Sequence, residues 1–211
     1  MDLPVVALTR AVHIGTLDPD DKGLRGASYE GHGLSVSVDP DDWLRIAKLG
    51  GLPWWELRNA AGRFMDRHAL TGAQRDQISA WAVDAGLARR RELWRVTYHD
   101  DELDGDVSVL FDSREAAEVE LDDLDDGEAQ PVMALTATAA LAARVGRADG
   151  DCFDLAAVCF TEDITDVDGV WWADRRGPFS APRGVILPGR LHRWTACRLR
   201  GDGGGASPPV P

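Results

Sequence analysis

The residues best equipped for chemistry lie in one stretch near the N-terminus, Leu8 to Trp43. It holds two of the five histidines, His13 and His32, with Thr16, Tyr29, Glu30, Ser35 and Ser37 around a Gly-rich loop. In His13-Ile14-Gly15-Thr16 an imidazole and a hydroxyl stand at the end of an apolar strand, where both can face a cleft. Gly15 has no Cβ to hold a ligand away from the backbone. Gly31 and Gly33 bracket His32 and imply a tight bend that exposes its ring at a rim. The same residues have an ordinary reading. His13 is then a satisfied histidine at a strand end, His32 a surface histidine, and Tyr29 and Glu30 loop residues without a fixed role.

Other catalytic patterns are missing. There is no GxSxG, no phosphate-binding GxxxxGK[ST] and no HExxH, and no GxGxxG opens a helix after a strand. Cys152, Cys159 and Cys197 are odd in number and fit no common zinc spacing, so they read as buried thiols rather than as a metal or disulfide framework. His68, His99 and His192 are scattered without metal-ligand spacing, and no metal is expected.

The order of strand, His-x-Gly-Thr, Gly-rich loop, Gly-Leu-Ser-x-Ser strand and helix resembles the first half of the ADP-ribosyltransferase-like fold, including its RNA 2′-phosphotransferase branch. The resemblance covers roughly 35 residues, within Leu8–Trp43. It implies that NAD or an ADP-ribose-like group is handled in a cleft built from the first two strands. His13 would hold a ribose hydroxyl, with Gly15 and Thr16 at the nicotinamide end. Tyr29 would stack on the nicotinamide, His32 would stand at the rim, and Ser35 or Ser37 would sit on the second strand. Those transferases also use a late glutamate to polarise a ribose hydroxyl and steady an oxocarbenium-like transition state. Here no Glu-x-Glu is present. Glu162 is the nearest substitute, and Asp168 is a shorter alternative.

The elements that must position these residues follow from pattern. Residues 4–14 read as one buried strand and 34–38 as a strand with one buried face. Asp39-Pro40-Asp41-Asp42 starts a helix over 39–49 that Gly50-Gly51 stops. Leu52–Leu57, with Pro53, reads as an edge or docking segment. Residues 58–86 read as helical, in two pieces broken near Thr71-Gly72. Residues 91–98 and 107–111 form a hairpin, and Asp112 or Ser113 caps a helix over 113–121. Residues 132–145 change from strand to helix at an unplaced point, and 154–160 (DLAAVCF) read as a buried strand. A short strand at 184–187 and a returning segment at 190–199 complete the fold. The expectation is an α+β fold with a mixed or antiparallel sheet and flanking helices. Residues 1–200 would make a single domain, with 201–211 a disordered Gly/Pro-rich tail.

Composition sets the outer limits. Hydrophobic residues at 44% and charged residues at 28% suit a globular chain. A net charge of −13 disfavours general nucleic-acid binding. No apolar run reaches the roughly 20 residues that span a bilayer, and the N-terminus lacks a signal-peptide pattern. A cytoplasmic, non-membrane protein is the expectation. A second function class therefore stands beside the transferase: a non-catalytic, immunity-type acidic protein that binds a basic partner. It would use the acidic run within 99–128 and an exposed member of the Trp54-Trp55 or Trp171-Trp172 doublets.

Overall fold

The computed structural model describes residues 2–17, 32–39, 41, 52–101, 105–124, 127–146, 151–173 and 182–200. The helix expected over 39–49 and the tail at 201–211 lie almost wholly outside these residues. Among the described residues the fold is α+β, with eleven strands, four α-helices and one 3-10 helix.

The first segment divides into β1 (Val5–Ala7) and β2 (Arg10–Ile14) instead of forming one strand. The remaining strands of the large sheet are β3 (Leu34–Ser37), β4 (Trp54–Arg58), β5 (Arg63–Asp66), β9 (Gly169–Trp172), β10 (Arg183–Ile186) and β11 (Thr195–Arg200). The order across it is β1-β5-β9-β10-β3-β2-β4-β11, antiparallel except for the β5/β9 pair. β1 and β2 thus stand first and sixth, although only Leu8 and Thr9 separate them. A flat sheet would hold them about 24 Å apart, whereas three residue steps reach at most about 11 Å. The sheet therefore curls until its edge strand meets its own interior. The division of 4–14 follows from this closure, because one segment serves two sets of partners. At the join, Leu8 N–H donates to Gly62 O (3.0 Å) and Asn59 N–H to Thr9 O (3.1 Å).

A second sheet of three antiparallel strands has β6 (Ala88–Asp100) between β7 (Gly105–Phe111) and β8 (Glu128–Ala137). The expected hairpin is its β6/β7 pair. The helices are α1 (Gly72–Asp84), α2 (Arg114–Asp122), α3 (Ala139–Val145) and α4 (Cys152–Ile164). Side chains start each of them: Thr71 with Gln74 in a reciprocal capping box, Ser113, Thr138 and Asp151. Thr138 is the point at which 132–145 changes from strand to helix.

Three further expectations fail for physical reasons. Residues 154–160 are helical. Leu155 to Thr161 are all buried, so an apolar run without period conceals a helix covered on every side. Residues 63–66 are strand β5, not helix, and Asn59–Gly62 is the turn before it. Leu52–Leu57 is no edge segment either. β4 lies between β2 and β11, and Pro53 stands just outside it, accepting from Gly15 N–H at 2.8 Å.

The core lies on both faces of the curled sheet. Val170 and Trp172 of β9 and Val185 of β10, with Leu187 just beyond it, pack against Ile78 of α1 and Ala157, Val158 and Phe160 of α4. Trp171 and Ile186 point the other way, into a cluster with Ala11, Val36, Leu57, Phe64 and Trp194. The two-residue period of a strand sends neighbouring tryptophans to opposite faces. Here both faces are covered, so Trp171 (6% exposed) and Trp172 (2%) are both buried.

Candidate functional site

His13 sits one residue before the end of β2, and Trp55 is its partner on β4. Its ring is buried. Nδ1 lies 2.7 Å from the Ser35 carbonyl on β3, and Nε2 lies 2.9 Å from the Thr16 carbonyl. A neutral imidazole has one N–H, so it donates to only one of these oxygens, whereas an imidazolium donates to both. Burial drives the His13 pKa below its ordinary 6.5, against the pull of the two carbonyls. Both ring nitrogens therefore face carbonyl oxygens of the chain itself, and the neutral ring donates to one of them.

Gly15 ends the strand with φ +134°, a conformation that L side chains rarely adopt. Its N–H donates to Pro53 O, and its carbonyl accepts from Trp55 Nε1, each at 2.8 Å. The Arg198 guanidinium stands 5.9 Å from the centre of the Trp55 ring. Gly15 thus fastens the end of β2 to β4. Ser35 contributes its carbonyl to His13. Ser37 is fully buried, its Oγ accepting from Asp39 N–H (3.0 Å) and lying within reach of the carbonyls of Asp39 and Pro182. Tyr29 and Glu30 lie outside the described residues.

A second group forms around Glu162 in the last turn of α4. His32 Nε2 lies 3.2 Å from Glu162 Oε2 and 3.3 Å from Oε1. Arg144, in the last turn of α3, donates from Nη2 to Glu162 Oε2 (2.8 Å) and grips Asp163 through both terminal nitrogens at 2.7 and 2.9 Å. The Arg144 hydrogen bond holds Asp163 below the usual carboxylate range, and the carboxylates raise Arg144 further above its ordinary value. His32 and Glu162 are thereby brought together as neighbours. Arg144 was missed by sequence reasoning, since nothing in AALAARV marks a partner 18 residues away. Gly33 follows His32 with φ +123°, and a Cβ there would stand 2.5 Å from Val185 Cγ2 and 2.6 Å from the Ile186 carbonyl. The bend expected there is thus also a close packing of β3 on β10.

Asp168 lies elsewhere. It is 3% exposed, and its Oδ2 accepts from Arg63 N–H (2.9 Å) and Asn59 Nδ2 (3.4 Å). Burial pushes the Cys152 and Cys159 thiols up to about 11, which removes them as nucleophiles near neutral pH. Among the described residues no group of three His, Cys, Asp or Glu side chains is placed to hold a metal ion, and no helix is long and apolar enough to cross a membrane. No family model, curated protein or solved structure matches this chain.

Proposed function

We propose that the protein handles NAD or an ADP-ribose-related nucleotide in a cleft at the end of β2 and the start of β3, acting as a transferase. The reading is carried by one observation: the two strands on which the family resemblance rests are neighbours, joined by the 2.7 Å contact of His13 Nδ1 with the Ser35 carbonyl. His13 orients its Nε2 toward the point where β2 gives way to the Gly-rich stretch, at Thr16. A ribose hydroxyl reaches Nε2 by replacing the Thr16 carbonyl; with the single proton of the neutral ring on Nδ1 toward Ser35, the hydroxyl donates to Nε2. Gly15 presents backbone without a Cβ beside it. Bound NAD would supply the nicotinamide leaving group. Glu162 would be the carboxylate of the site, held between Arg144 and His32. NAD binding by wild type and His13→Ala tests the pocket, and nicotinamide release by wild type and Glu162→Gln tests transfer.

A second reading has its own support. Asp101, Asp106, Asp112, Glu115, Glu118, Asp122, Asp123 and Glu128 are all exposed on the three-stranded sheet and α2. Such a surface attracts a basic partner at long range. The tryptophan doublets add little to it, because Trp54, Trp171 and Trp172 are buried. Neutralising Glu115, Glu118 and Asp122 together would weaken partner binding under this reading and leave NAD binding unchanged under the first.

A further inference from the structure

We propose that the cleft at the start of β5 and β9 binds a small oxyanion, with a phosphate dianion as the favoured chemistry. The cleft has a volume of about 380 Å³ and is lined by Asn59, Ala61, Arg63, Asp166, Asp168 and Arg193. This is near the lower end of the roughly 300–1,000 Å³ of small-molecule sites. None of its lining residues belongs to β2 or β3, so the inference stands apart from the nucleotide reading.

Three guanidinium groups gather around one exposed carboxylate. Arg193, on the 3-10 helix Pro188–Arg193, donates from Nη2 to Asp166 Oδ1 at 2.7 Å and from Nη1 to the Asp166 carbonyl at 3.0 Å. Arg190 Nη2 stands 3.9 Å from the same Oδ1. Arg63 also acts on Asp166, which is held below the usual carboxylate range, first by the Arg193 hydrogen bond and then by the surrounding positive charge. The Arg63 guanidinium itself makes no hydrogen bond or close ion pair among the described residues.

Two carboxylates, Asp166 and Asp168, face these three cations, leaving one positive charge in excess within a chain of net charge −13. They differ in kind. Asp168 is fastened into the fold by the Arg63 N–H, and Arg193 Nη1 stands 3.4 Å from its Oδ1. The Asp166 side chain is 81% exposed, and its carboxylate is held by the Arg193 hydrogen bond at the surface. Asp166 is thus a tethered oxyanion in the position that an incoming one would take. With the Asp166 carboxylate displaced, Arg193 offers Nη2, while its Nη1 stays on the Asp166 carbonyl, and Arg63 offers its guanidinium donors to phosphate oxygens.

The test is calorimetric titration at fixed ionic strength with inorganic phosphate and, separately, acetate. The proteins are wild type, Asp166→Asn and Arg63→Ala, each checked by thermal melting. Phosphate is expected to bind wild type in the millimolar range, Asp166→Asn at least tenfold more tightly, and Arg63→Ala at least tenfold more weakly. Acetate is expected to be weaker throughout. Asp166→Ser serves as a second variant if Asp166→Asn melts early. The proposal is overturned if removing the Asp166 charge brings no gain or if Arg63→Ala binds like wild type. Acetate binding as tightly as phosphate overturns the dianion assignment.

Discussion

His13 Nδ1 and the Ser35 carbonyl, 2.7 Å apart, join the two strands at the centre of the curled sheet. The other ring nitrogen faces a second carbonyl, that of Thr16. This arrangement favours a charged ring in its hydrogen bonds and a neutral ring in its solvation, and solvation prevails.

The pH dependence of stability follows. The folded pKa of His13 lies below the unfolded value of 6.5, so the unfolded chain binds more protons between the two. The contribution of His13 is fully present above pH 6.5 and falls as pH drops toward the folded value. Urea midpoints measured from pH 5 to 8 should therefore decline more steeply on acidification for wild type than for His13→Asn. Parallel curves would contradict the assignment.

Asp154 titrates in the opposite sense for a carboxylate at a helix start. Burial raises its pKa despite Arg67 Nε at 2.6 Å and Trp172 Nε1 at 3.0 Å. The folded state then binds more protons just above the ordinary value of 3.8, and this group's contribution falls as pH rises through that window. Asp154→Ala strands the Arg67 guanidinium, whose side chain is only 15% exposed. Breaking such a pair costs about 3–5 kcal/mol. Chemical denaturation of Asp154→Ala should show a loss of that order, and a loss below about 1 kcal/mol would show that the pair is dispensable.

Gly33→Ala should destabilise the fold by about 2 kcal/mol or more through strain and overpacking. The added Cβ meets Val185 Cγ2 and the Ile186 carbonyl in a backbone already at φ +123°. A melting temperature within a degree of wild type would place β3 and β10 further apart than described.

Arg144→Ala removes the cation shared by Glu162 and Asp163. The Asp163 carboxyl should then titrate higher than in wild type, measured by NMR of its side-chain carbon. Arg144→Lys should restore part of the shift, because a single ammonium cannot grip Asp163 through two parallel donors. An Asp163 titration unmoved in both variants would remove Arg144 from the cluster.

Local chemistry was legible in the sequence, and tertiary pairing was not. The caps at Thr71 and Ser113 are decided by residues within a few positions of one another, whereas the alternation of Leu34–Ser37 does not give one buried face, since Val36 and Ser37 are both fully buried. DLAAVCF reads as a strand because a helix buried all round leaves no polar stripe to count. The division at Leu8-Thr9 depends on where β5 and β4 lie, which no neighbouring residue encodes. His32 and Glu162 were each singled out, but their contact, 130 residues apart in sequence, emerges only from the fold. The arginines around Asp166 carried no motif at all.

NAD titration by calorimetry tests the proposed nucleotide pocket at the end of β2 most directly. Wild type, His13→Ala and His13→Asn are compared after circular dichroism has shown that each is folded. Saturable binding in wild type, weakened at least tenfold in both variants, is the predicted result. No heat of binding at millimolar NAD, or equal affinity in all three proteins, would contradict it.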